Sequence, residues 1–156
     1  MNDRIPASIA AEHKQLRLTL ERAKRESGLL GLRARELAEL IEPHFAKEEA
    51  FALPPLALLP KLAWGGTNAA MADVIPIARR LAAELPLMIM EHRQIAKVVD
   101  AFQSAAEEAH RAEYEQFAES LIAHTVHEEE ILYPAAVLVG AYLELRITTE
   151  RPIELG

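Results

Sequence analysis

The chain has 156 residues, 51% of them hydrophobic, no cysteine and a formal net charge of −7. That length suits one domain with a core of its own, and the lack of cysteine excludes disulfides, zinc–thiolate sites and cysteine nucleophiles, so any metal must be held by nitrogen and oxygen. The acidic balance, with no Lys/Arg block to relieve it, argues against nucleic acid as a partner.

The opening residues Met1-Asn2-Asp3-Arg4-Ile5-Pro6 lack the basic region and apolar run of a secretory signal. No apolar stretch is expected to span a membrane: Leu53 to Trp64 comes closest on this reading, and Pro54, Pro55, Pro60 and Lys61 break it up. The expectation is a cytoplasmic protein with no membrane partner.

Apolar residues recur at helical rather than strand spacing almost throughout. A first helix is predicted from Ala7 to Glu26, with Ile9, His13, Leu16, Leu20 and Ala23 on one face and Ser27-Gly28 closing it. A second, from Leu30 to Ala52, aligns Leu37, Ile41, His44, Glu48 and Phe51, and Pro43 inside it should bend the chain just before His44. Residues 53–70, rich in Pro and Gly, read as an ordered crossover loop anchored by Trp64.

A third helix, from Asp73 to Ala109, carries Leu81, Leu85, Met88, His92, Ile95, Val99, Phe102 and Ala106, with Pro76 in its first turn and Pro86 as a kink. The fourth, from Ala112 to Val139, carries Phe117, Leu121, His124, Glu128, Ile131 and Ala135. Gly140 closes it, unless Pro134 ends it sooner. Residues 1–140 then form the domain and residues 141–156 a C-terminal tail.

The two halves echo each other. His13 and His92 are 79 residues apart, while His44 and His124, and also Pro54 and Pro134, are 80 apart. Such agreement predicts an all-α fold: an up-down antiparallel four-helix bundle of two pseudo-symmetric helical hairpins.

Each half contributes one His and then a His-x-x-x-Glu pair, and all six residues fall in the apolar stripe of their helix. A buried unpaired carboxylate is costly and takes up a proton or finds a cation. His and Glu four residues apart lie about 40° apart on a helix and one turn along it, so both reach one interior. The candidate metal ligands are therefore His13, His44, Glu48, His92, His124 and Glu128. With both carboxylates bridging and two histidines per ion, a two-metal site would keep two octahedral positions of each ion open; iron, manganese or zinc suits such donors, and a dinuclear site favours iron.

The order His, His-x-x-x-Glu-Glu, His, His-x-x-x-Glu-Glu, with Leu132-Tyr133-Pro134 after the last motif and Leu53-Pro54 after the earlier one, resembles the hemerythrin-like (HHE cation-binding) family over residues 5–140. The resemblance implies a four-helix bundle around two non-haem iron ions held by the six residues named. Oxygen carriers of that family have two histidines one turn apart on the third helix, whereas Met88 and Ala96 flank His92 here. The resemblance therefore implies a four-histidine centre that binds or senses O2 or NO, or handles iron under stress. Two alternatives stand beside it: a di-iron enzyme (oxidase, peroxidase, nitric-oxide reductase or iron-centre repair), and a metal-stabilised structural bundle that meets a protein partner through residues 140–156.

Other polar residues have plainer expectations. His127 and His110 belong to the surface, and Glu12 and Glu91 to solvated helix faces. Glu49, Glu129 and Glu130 point outward or sideways, with holding an imidazole N–H as the alternative. Tyr133 reads as a packing aromatic whose hydroxyl could approach the metal. No nucleophile motif or phosphate-binding glycine loop is present.

Overall fold

In the computed structural model, which describes residues 4–150 with side chains to residue 149, the chain is all-helical, and no strand occurs among the described residues. The elements are α1 (Ala7–Ala23), α2 (Gly28–Lys47), α3 (Leu59–Ala63), α4 (Ile75–Glu108), α5 (Ala112–His127) and α6 (Tyr133–Glu150). The predicted stripe of α1 is its buried face, residue for residue, and the stripes of α2 and α4 are buried except for half-buried Leu85. α2 runs unbroken through Pro43, and α4 through Pro86.

α1 packs on α2 and α5, and α4 packs on the same two, which closes a ring of four helices. Two apolar clusters fill it, one around Leu20, Leu37, Phe102, Phe117 and Leu121, the other around Ile9, Phe51, Leu53, Met88 and Tyr133. Along α1 and α4 the chain passes from the second cluster to the first; along α2 and α5 it passes from the first to the second. In every case it crosses a layer of His and Glu on the way.

Two wider π-helical turns, Glu48–Ala52 and Glu128–Leu132, follow α2 and α5. Each is closed by an amide five residues on: Leu53 N–H bonds Glu48 O at 2.9 Å, and Tyr133 N–H bonds Glu128 O. The next residue in each case is a proline, Pro54 or Pro134, which has no amide to continue the α register. The π turn moves the buried stripe by one residue. Ile131, expected inside, is 55% exposed, and Tyr133 and Ala136 are buried instead.

Four further expectations are corrected. The crossover is mostly helical, built from 3-10 turns at Pro54–Leu58 and Ala69–Val74 around α3, with the Asn68 side chain accepting from Met71 N–H at 3.2 Å. Trp64 does not anchor it but is 89% exposed. Neither Pro134 nor Gly140 ends the fourth helix, because Pro134 sits in the first turn of α6, where its missing amide costs little, and Gly140 lies where α6 crosses Ala78 of α4. The predicted tail is thus helical as far as Glu150, and residues 151–156 lie outside the described residues. The first helix is also shorter than expected, ending at Ala23, with Gly28 at φ +67° opening α2.

By length and composition alone, the helical run Ala112–Thr149 contains a stretch apolar enough to cross a membrane, with 28% of it buried in this fold. The reading by apolar runs passed over it: Ile131 to Leu143 carries no charge, and Glu144 and Arg146 interrupt the apolar stretch beyond it. Along this stretch Val139 and Leu143 are buried, Leu138 and Leu145 exposed.

Candidate metal centre

Four helices bring the six candidate residues into one buried layer, and all six are at most 4% exposed. The layer divides in two. Donor atoms of His13, Glu48, His124 and Glu128 lie within 4.8 Å of one another, and so do those of His44, Glu48, His92 and Glu128.

Both glutamates belong to both groups through different oxygens. Glu48 Oε2 is 3.5 Å from His13 Nε2, while its Oε1 is 3.2 Å from His44 Nε2. Glu128 Oε1 is 2.8 Å from His124 Nε2, while its Oε2 is 3.3 Å from His92 Nε2. Each carboxylate thus offers one oxygen to each pair of imidazoles.

The outer nitrogen of every imidazole also meets a carboxylate. His13 Nδ1 is hydrogen-bonded to Glu49 at 3.1 Å, His44 Nδ1 to Glu91 at 2.8 Å and His92 Nδ1 to Glu129 at 2.8 Å. His124 Nδ1 is 3.0 Å from Glu12 Oε1 but not aligned as a hydrogen bond. An ionised carboxylate only accepts, so the three bonded Nδ1 atoms donate, and each ring is held with Nε2 turned inward. Arg17 and Lys47 pair in turn with Glu49 and Glu91. Glu12 and Glu91 therefore do not stand on purely solvated faces. The signal available in the sequence was their placement, each immediately before a repeated His and on the same 79-residue offset.

Several inward atoms have no partner. His13 Nε2, His124 Nε2, Glu48 Oε2 and both Glu128 oxygens are buried without a hydrogen bond. Orphaned buried donors and acceptors are rare and destabilising, and two carboxylates among four imidazoles, without thiolate, form a donor set that a divalent transition metal satisfies. The residues present fit such an ion.

The electrostatics point the same way. Burial opposes protonation of His92, but the neighbouring carboxylates of Glu128, Glu48 and Glu129 outweigh it and push its pKa up to about 10. Burial likewise opposes protonation of His124, yet Glu128 brings it to about 9, and His44 is raised by Glu48 and Glu91 against the same penalty. Burial would raise Glu128, but His124, His13 and His92 hold it below the usual carboxylate range. Positive charge is drawn to this layer.

Tyr133 enters the layer too. Its hydroxyl donates to Glu48 Oε1 and lies 3.2 Å from His92 Nε2, with its ring stacked on His92 at 5.7 Å. In an α-helix a residue five past Glu128 would lie about 140° round the axis; the π turn bonds those two residues and stacks one over the other. His110, His127 and Glu130 are exposed, as expected.

A family model described as the hemerythrin HHE cation binding domain matches residues 4–136. No curated protein and no solved structure matches the chain.

Proposed function

Because the chain belongs to the hemerythrin HHE cation-binding family, we propose that its buried layer holds two non-haem iron ions, in positions that manganese or zinc would also fit. We further propose that the centre serves to bind or sense O2 or NO, or to handle iron under stress. The ligands on this reading are His13 and His124 at one position, His44 and His92 at the other, and Glu48 and Glu128 at both. The observation that carries it is the division of each buried carboxylate between two imidazole pairs.

Iron bound there would supply redox chemistry and open positions for a diatomic ligand. The residues supply the rest. Three outer carboxylates, Glu49, Glu91 and Glu129, fix the imidazoles of His13, His44 and His92, apolar clusters on both sides of the layer exclude water, and the Tyr133 hydroxyl holds a proton against Glu48. Met88 and Ala96, flanking His92, offer no fifth imidazole, which supports sensing or iron handling over oxygen carriage.

The alternation of chain direction between the two clusters supports an up-down antiparallel four-helix bundle of two pseudo-symmetric hairpins. A cytoplasmic location is part of the same proposal. Protein expressed with iron should contain it and absorb in the near ultraviolet as an oxidised di-iron centre does; less than about one iron per chain, with no such absorption, would sink the reading.

A di-iron enzyme is the second reading. A cleft of about 130 Å³, lined by Pro43, His44, Glu91 and Gln94 among others, gives small molecules an approach to the His44 side. Turnover of peroxide or nitric oxide by the reduced protein distinguishes this from reversible binding.

A further inference from the structure

The two positions share a ligand set but differ in which donor atoms are already engaged. At the His13/His124 position the four inward atoms, His13 Nε2, His124 Nε2, Glu48 Oε2 and Glu128 Oε1, are all buried and make no hydrogen bond. At the His44/His92 position three of the four are occupied. His44 Nε2 and His92 Nε2 share a hydrogen bond of 2.8 Å, and Glu48 Oε1 accepts from the Tyr133 hydroxyl. Only Glu128 Oε2 is unpartnered there.

A buried polar atom without a partner is costly, and a hydrogen bond to a charged group is worth more than a neutral one. A cation at His13/His124 therefore relieves four atoms that make no hydrogen bond and displaces one close contact, that of His124 Nε2 with Glu128 Oε1 at 2.8 Å. A cation at His44/His92 relieves one, and must displace the imidazole pair and compete with Tyr133 for Glu48. The surroundings add to the contrast. Phe45 lies flat on His13 at 4.0 Å and edge-on to His124 at 5.9 Å, walling in the first position, whereas the 130 Å³ cleft adjoins His44.

Resting on the metal-centre reading above, we propose that the centre fills in order: His13/His124 first and tightly, His44/His92 second and exchangeably. Tyr133 is the positioning residue that sets this order. Leu53, its counterpart in the first half, has no group with which to hold Glu128 in the same way.

The test is titration of the chelator-stripped full chain with Mn2+, followed by electron paramagnetic resonance and chelator competition. The first equivalent should give the spectrum of isolated ions, and the spin-coupled pair should grow only with the second, the two steps differing by at least about tenfold. Tyr133→Phe keeps the ring stacked on His92 but removes the competing hydroxyl, and should tighten the second step by about tenfold while leaving the first unchanged. His44→Ala should keep the tight step and lose the weak one; His13→Ala should lose the tight step.

Coupled pairs from the first addition, an unchanged ratio of steps in Tyr133→Phe, or equal weakening of the first step by the two histidine variants would each overturn the order. Should Tyr133→Phe fail to fold, the histidine variants decide. Failure of the metal reading itself looks different, since neither Mn2+ nor iron would then be retained at all.

Discussion

Tyr133 and Leu53 occupy corresponding places, each five residues past the buried glutamate of its half and each fully buried, yet only Tyr133 carries a hydroxyl, and it donates across the layer to the glutamate of the other half. Ligand symmetry and environmental symmetry have come apart. His13 rests on Phe45, while its counterpart His92 stacks on Tyr133.

Not all histidines should matter to the metal. His44→Ala or Glu128→Ala should cost most of the bound metal, measured by elemental analysis after dialysis, and His110→Ala should cost none. His110 has its own role, closing α4 in the left-handed region at φ +55° while Arg111 N–H bonds Ala106 O at 2.9 Å. Glycine is at ease in that conformation, so His110→Gly should raise stability by about 1 kcal/mol in chemical denaturation.

The outer carboxylates should tune affinity without building the fold. Glu129→Gln and Glu91→Gln replace a charged acceptor by a neutral one, and each should weaken metal binding by about 10- to 100-fold in competition assays. Helical content should be unchanged. An affinity equal to that of the parent chain would mean that the imidazoles are oriented by packing alone.

Stability of the metal-stripped chain should depend on pH in a definite sense. His92 and His124 have folded pKa values of about 10 and about 9 against an ordinary 6.5, so their contribution is complete below 6.5 and is lost as pH rises through 9 to 10. Glu128 is depressed, so its contribution holds above its ordinary 4.5 and is lost as pH falls. Calorimetry should place the highest melting temperature of the stripped chain between these limits, with a fall toward pH 10. Metal must displace the imidazole protons, so uptake at neutral pH should acidify a weakly buffered solution.

Gly140 is set by contact rather than by helix termination. A β-carbon there would stand 2.3 Å from Ala78 Cβ. Gly140→Ala gains about 1 kcal/mol in helix propensity but overpacks at a cost of about 1–3 kcal/mol, for a net loss of about 1 kcal/mol. Adding Ala78→Gly should recover much of that loss, and thermal melts of the single and double variants would show it.

Helical periodicity carried much of the fold into view from the sequence. The stripes through His13, His44 and His92 are the buried faces because apolar spacing and α geometry share one period. Past Glu128 that logic fails. Hydrogen-bond register leaves no trace in apolar spacing, so the π turns went unread and Ile131 was placed inside where Tyr133 belongs. Pro54 and Pro134 were the visible hint, since a proline just beyond a stripe withdraws the amide that would keep the α register.

Glu12 and Glu91 were misplaced for another reason. A residue beside a ligand histidine lies about 100° round its own helix and reads as solvent-facing. Only the neighbouring helix reveals what it meets. Trp64 was misjudged because a large aromatic between short helical segments ordinarily packs, whereas here the crossover turns it outward.

The four imidazole–carboxylate contacts form a circuit. His13 with Glu49 and His92 with Glu129 each close a hairpin on itself, while His44 with Glu91 and His124 with Glu12 each reach to the opposite hairpin. Neither half can complete its own outer contacts or a full set of donors. The peptide link through the crossover contributes nothing to that circuit, so the centre is in effect an interface between two halves: a chain severed at Gly65-Gly66 should reassemble from its fragments when metal is supplied, and stay apart when it is withheld.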